Sequence, residues 1–296
     1  MSLIAMLTGR AGRRIVTAIP FLWLGLFFLA PFLIVFGISL SRSRFGVPPY
    51  EPLMSEGAVT ARPDNYLFLL DDRLYLDALF GSLQIAATSA AICLLIGYPI
   101  ALGMARAPAR WRSVLLLAII LPFWTSFLIR VYAWIGLLKN DGLINGFLQA
   151  LGLVDQPVQL LQTSFAVHLG IVYSYLPFMV LPLYAALERQ DMSLLEAASD
   201  LGARPWRAFL TITLPLSLPG IVAGYLLVFI PATGEFVIPE LLGDSGTVMI
   251  GKVLWTEFFS NRDWPLASAL AVAMLALIVA PLALLEHLRL RREASG

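Results

Sequence analysis

The sequence predicts an all-α membrane protein with six transmembrane helices and both termini cytoplasmic. Three observations carry that expectation: a composition too apolar for a soluble domain, six apolar runs of spanning length, and a one-sided distribution of Lys and Arg. Of the 296 residues, 59% are apolar and 13% charged, and the mean hydropathy is +0.83. Soluble domains are roughly 45–50% apolar and about 25% charged. So large an apolar surface cannot be hidden in one core while the rest is wetted, which excludes an ordinary cytosolic enzyme. A net charge of +1 without a large basic block argues against nucleic acid as a partner. The single cysteine, Cys93, leaves no intrachain disulfide and no CxxC site. Two distant histidines, His168 and His287, give a His-based zinc site little support.

A span needs about 20 mainly apolar residues, and six runs qualify: 19–40, 82–105, 114–138, 165–187, 219–242 and 266–286. The first follows Arg10, Arg13 and Arg14, as a signal peptide would. Its apolar run is too long for one and no small-x-small cleavage site follows, so a retained helix is expected. Orientation comes from the Lys and Arg between spans. Twelve fall on the side of the termini and of the second-to-third and fourth-to-fifth loops; seven fall on the other. Both termini are therefore expected inside. The external segment 41–81 carries Pro48, Pro49, Pro52 and Pro63 and should lie along the surface or pack over the spans. No internal repeat is visible, so an inverted-repeat secondary carrier gains no support.

The loop 188–215, between the fourth and fifth spans, carries the functional argument. Ser193 with Glu196 three residues on reads as a capping box opening a short helix. Leu194, Leu195, Ala197, Ala198 and Leu201 give that helix an apolar side, and Gly202 supplies a left-handed stop. Pro205 suits the first turn of a second helix, which carries Trp206, Phe209 and Leu210 toward Pro215. The expected product is a cytoplasmic helix–turn–helix elbow.

Glu196-Ala197-Ala198, three residues, Gly202, nine residues, Ile212, one residue, Leu214-Pro215 resembles, position by position, the EAA signature of membrane subunits of binding-protein-dependent ABC importers. The resemblance implies the type I ABC importer permease fold over 78–288. The first span and its external segment (1–77) would be an addition, and 289–296 a cytoplasmic tail. It also implies that Glu196, Ala197, Ala198, Gly202, Arg204, Ile212, Leu214 and Pro215 form the coupling region, which docks on a cytoplasmic ATPase. The implied partners are a second related permease, two ATPase subunits, a soluble periplasmic solute-binding protein and the bilayer of a bacterial inner membrane. ATP and magnesium would sit on the ATPases, leaving this chain without a cofactor or catalytic residues.

Further stretches, Phe123–Trp134, Pro177–Tyr184, Leu201–Pro205, Phe236–Gly243 and Asn261–Pro265, resemble the permeases of putrescine/spermidine importers, which implies a polyamine as solute. A flexible chain of ammonium groups needs carboxylates and aromatic faces along its path. Glu235 and Glu240 fall near the outer end of the fifth span, beside Pro231, Gly234 and Pro239. Glu235 is either a pathway carboxylate, a partner of Arg130 in the third span, or exposed at the lipid boundary. Glu240 lines the path or meets the binding protein. Arg130 is expected to be structural, since it repels a cation. Tyr132, Trp134 and Phe236 offer cation–π faces or serve as interfacial anchors. Gly220 and Gly224 form a small-xxx-small pair for helix packing, with the partner permease one candidate surface.

Two motifs mislead. Gly246 to Lys252 begins like a phosphate-binding loop, but Val253 stands where Ser or Thr should hold magnesium. Gly243-Asp-Ser-Gly246 resembles a protease nucleophile segment, yet neither histidine has a supporting motif. Three rivals remain: an autonomous secondary carrier, which leaves the elbow unexplained; an intramembrane enzyme, which lacks a nucleophile or metal set; and a structural anchor, which leaves the pathway carboxylates unexplained.

Overall fold

The computed structural model describes residues 10–55, 58–59, 61–244 and 246–294; the outermost tail residues lie outside them. The first apolar rod is α1 (Arg10–Leu24), a π turn at Gly25–Leu29 and α2 (Ala30–Ser39). A two-residue antiparallel ladder follows, β1 (Met54–Ser55) against β2 (Ala58–Val59), then α3 (Asp64–Asp71). Next come α4 (Arg73–Arg106), α5 (Ala109–Ile120), α6 (Phe127–Leu138), α7 (Leu143–Ala150) and α8 (Ser164–Glu188). The chain then runs through α9 (Ser193–Asp200), α10 (Pro205–Ala208), α11 (Leu214–Thr233), α12 (Val237–Leu242), α13 (Ile250–Trp255) and α14 (Trp264–Ala294). Five helices among the described residues are long and apolar enough to cross a membrane, six if one bent pair counts as a span.

The chain packs as two compact units, dividing after Arg73 and after Val253. In the first, the segment expected outside packs onto the end of α2. Asn65 donates from Nδ2 to the carbonyls of Ser39 (2.8 Å) and Ser41 (2.9 Å). The hydroxyls of Tyr66 and Ser39 lie 2.6 Å apart. Helices α2 and α3 both pack against α14.

The second unit is built around α4, α8 and α11. Its core joins Ala90, Cys93 and Ala101 of α4 to Met179, Val180 and Leu183 of α8 and Val228 of α11. A second cluster gathers Val131 and Leu138 of α6 with Val167 and Ile171 of α8 and Ile238 and Leu242 of α12. The small-residue pair faces α8 of the same chain. A methyl group on Gly220 would stand 2.6 Å from Cβ of Ala186 and 2.8 Å from the Pro182 carbonyl; one on Gly224 would stand 2.8 Å from Sδ of Met179. The first turn of α8 is closed by Thr163, whose Oγ1 accepts from the Ala166 N–H at 3.2 Å.

Two expected spans differ. The third is not one helix: the stretch Ala109–Trp124 meets Phe127–Ala150 at 88°. Pro122 cannot donate to a helical ladder, and Thr125 and Ser126 take extended backbone. The fifth begins earlier and ends sooner than 219–242, running through Pro205–Thr233. A π turn at Phe209–Thr213, with the Leu214 N–H bonded to the Phe209 carbonyl, widens the helix where the Pro215 ring must fit. The stop at Thr233 lies before the break at Gly234.

Substituting Gly220 tests the α8–α11 contact. Gly220→Val should destabilise the chain by about 1–3 kcal/mol through overpacking, lowering Tm in detergent. Gly103→Ala, where an added methyl meets nothing within 4 Å, should leave Tm unchanged or slightly raised.

Candidate functional site

The elbow forms where the sequence places it, with a different opening. Ser193 is the first residue of α9 rather than its cap, and no Ser193–Glu196 capping box forms: the Asp191 carboxylate accepts from the Ser193 N–H at 3.0 Å. That bond holds the Asp191 carboxyl below the usual carboxylate range. An aspartate two residues upstream competes for the same donor and wins because its shorter side chain closes a tight turn. The other end is a Schellman stop. Gly202 has φ of +77°, its N–H bonds Ser199 O at 2.8 Å, and Ala203 N–H bonds Ala198 O at 2.9 Å. Arg204 then takes extended backbone and Pro205 opens α10.

The motif residues divide by direction. Glu196, Ala197, Gly202, Arg204 and Pro215 are exposed, whereas Ala198 is buried and Ile212 and Leu214 are half-buried. Exposed apolar side chains adjoin the first group: Leu194, Leu201 at 88% and Trp206 at 56%. The Arg207 guanidinium lies 5.4 Å from the Trp206 ring.

Two ties absent from the sequence reading fix the elbow's base. Gln190 donates from Nε2 to the Thr213 carbonyl at 3.0 Å, joining entry to exit. Arg112 and Glu188 pair at 3.3 Å, joining the start of α5 to the end of α8. Neither had a local signal, because both partners are distant in sequence.

The expected pathway residues are brought only partly together. Glu235 is 7% exposed and does not pair with Arg130. Its Oε2 accepts from the Tyr175 hydroxyl at 2.5 Å. Its Oε1 faces the N–H groups of Phe236 (3.2 Å), Val237 (3.0 Å) and Ile238 (3.4 Å). The carboxylate thus closes the start of α12 where α11 stops. Gly251 packs on that break, where a side chain could not fit: an added methyl would stand 2.4 Å from the Gly234 carbonyl.

Arg130 closes the other break. Its Nη1 donates to the Pro122 carbonyl at 3.0 Å, and the guanidinium lies 5.2 Å and 5.9 Å from the rings of Phe123 and Phe127. Glu240 pairs with Lys252 at 2.9 Å. Trp134 packs edge-on against Tyr173, with centroids 5.4 Å apart; Tyr132 is exposed and Phe236 half-buried.

A cap and a pathway carboxylate respond differently to substitution. Glu235→Leu should cost about 1–3 kcal/mol for each main-chain donor left bare, seen as a large fall in Tm. Glu235→Gln, which keeps an acceptor, should fold nearly normally and retain uptake. Normal folding of Glu235→Gln with uptake lost would mark a solute contact instead.

Residues 97–293 match the family described as binding-protein-dependent transport system inner membrane component. The chain is 40% identical, over 90% of each chain, to the spermidine/putrescine transport system permease protein PotB of Haemophilus influenzae. It is 41% identical to PotB of Escherichia coli K12, over 91% of this chain and 94% of that one. Among solved structures, a bacterial alginate ABC transporter in complex with an alginate pentasaccharide-bound periplasmic protein matches 95% of both chains, with a TM-score of 0.70 at 16% identity, a likeness of fold. The chain belongs to the binding-protein-dependent transport system inner membrane components, the permease subunits of ABC importers.

Proposed function

We propose that this chain is one permease of an ATP-driven importer for putrescine or spermidine, spanning a bacterial inner membrane six times with both termini cytoplasmic. The observation that carries the mechanism is the elbow. It presents Glu196, Ala197, Leu201 and Trp206 outward, and its second helix runs without interruption into the fifth span. A push on the elbow by an ATPase is therefore transmitted along a rigid rod to the α8–α11 contact. The polyamine reading is supported by the 40–41% identity to PotB proteins over nine-tenths of the chain.

The assembly needs a second, related permease to complete a pore, two ATPases beneath and a periplasmic polyamine-binding protein above. ATP and magnesium belong to the ATPases, and this chain contributes no catalytic group. ATPase closure swings the elbow and opens the spans outward to receive the solute; hydrolysis resets them. In this reading Tyr132 and Glu240 face the path, whereas Glu235, Phe236, Trp134 and Arg130 frame it.

Coupling is tested in the full complex, purified from its native membrane in gentle detergent and reconstituted into liposomes with ATP inside. Glu196→Lys and Gly202→Asp should each abolish polyamine uptake while the binding protein's affinity for polyamine stays unchanged. Normal uptake in both variants would refute coupling through the elbow. Uptake by the chain alone, without ATP, would instead identify a secondary carrier.

A further inference from the structure

One face of α4 carries Asp77, Gly81, Gln84 and Thr88, spaced so that they stack along the helix. From Asp77 to Thr88 this stripe runs about 16 Å at 1.5 Å per residue. Asp77, Gln84 and Thr88 are exposed, and Asp77 has no hydrogen-bond or ion-pair partner among the described residues. A free carboxylate near the end of a spanning helix costs several kcal/mol if it faces hydrocarbon, so such groups turn to water or a partner.

The stripe lines a cleft of about 660 Å³ within the second unit. Its opposite wall is the first turn of α8, with Ser164 and His168; its lip is the segment 246–248. That lip is pinned to α4, because the Ile250 N–H donates to the Ser82 hydroxyl at 2.7 Å. At the end farthest from Asp77, the Thr88 hydroxyl and His168 Nε2 lie 2.8 Å apart, and Nδ1 of the same ring reaches the Ser164 carbonyl at 2.7 Å. The cleft is therefore walled and braced on three sides by its own chain.

Its chemistry selects one kind of occupant. The lining offers a carboxylate, an amide, hydroxyls and an imidazole, and no Lys or Arg. Leu74, Ile85 and Val248 supply apolar contact between the polar groups. An anionic solute would find no positive group, and a wholly apolar one would strand the polar stripe. The geometry points to this cleft as an outer subsite for an aliphatic polyamine: Asp77 takes one ammonium group, Gln84 and Thr88 accept hydrogen bonds from the next, and the apolar side chains cover the methylenes between. The inference rests on the polyamine reading above and adds a place where the solute pauses after leaving the binding protein.

The test uses the complete complex in liposomes, with putrescine and spermidine as probes. Asp77→Asn should raise KM for uptake about tenfold, the loss expected for one charge-assisted hydrogen bond. Assembly and the binding protein's own affinity should stay unchanged, and Asp77→Glu should restore most of the KM. A second measurement is independent of turnover. The native Cys93 is buried, so Thr88→Cys introduces an accessible thiol whose alkylation, followed by mass spectrometry of this chain, should slow when spermidine is present.

An unchanged KM in Asp77→Asn, or no protection of the new thiol, would overturn the subsite while leaving polyamine transport standing. Loss of the second permease from Asp77→Asn preparations would overturn it too, marking the face as a contact between permeases. Failure of the wild-type complex to take up either probe would overturn the polyamine reading and the subsite with it.

Discussion

In hydrocarbon no water is available to satisfy a main-chain donor or acceptor, so each break in a helix must be closed by the protein itself. This constraint governs where the charges of the second unit sit. The chain breaks at Thr125–Ser126 and again at Gly234–Phe236. Arg130 reaches back to the Pro122 carbonyl at the first, and Glu235 gathers the N–H groups of Phe236 to Ile238 at the second. The two charges need not neutralise each other, because each faces main-chain dipoles of opposite sign. The breaks in the backbone thus also consume the charged residues that close them.

The same economy appears in how α8 meets α11. Gly220 and Gly224 let the helices approach until the side chains of Ala186 and Met179 fill the groove, which replaces hydrophobic driving force with dense packing. Because α10, the π turn and α11 form one apolar rod from Pro205 to Thr233, the tight contact lies directly along the elbow's own helix. Gln190 bonded to the Thr213 carbonyl ties the two ends of the loop, fastening the end of α8 to the start of α11.

Much of this was legible in the sequence. The apolar runs located the long apolar helices at 16–39, 73–106, 164–188 and 264–281 within a few residues, apart from the early start of α4. The Gly202 stop and the Pro205 start are local signals that act over a single turn, so the elbow was readable too. The errors arose where two local signals competed or where the answer was tertiary. Ser193 with Glu196 reads as a capping box, but the Asp191 carboxylate takes the Ser193 N–H and no such box forms. Pro219 looked like a span boundary, yet the preceding π turn lets the helix begin at Pro205. Arg130 with Glu235 was a reasonable charge pair, but burial of bare main-chain groups made caps of both. The Asp77 stripe carries no sequence signal of its own: Asp77 and Gly81 precede the apolar run 82–105, and only the early start of α4 stacks them with Gln84 and Thr88.

Within the motif of the elbow, exposure separates two kinds of requirement. Ala198 is buried in the elbow, Leu214 packs against the core and Ile212 is half-buried, so their side chains answer to packing inside this chain. Glu196 and Ala197 present nothing to their own chain that demands a carboxylate or a methyl group at those positions. Gly202 is fixed by backbone geometry alone, since φ of +77° strains any residue with a Cβ. A motif of fixed spacing therefore arises from three different constraints on one short segment. The outward residues Glu196, Ala197 and Arg204, with the exposed Leu201 and Trp206 beside them, are left free of demands from their own chain.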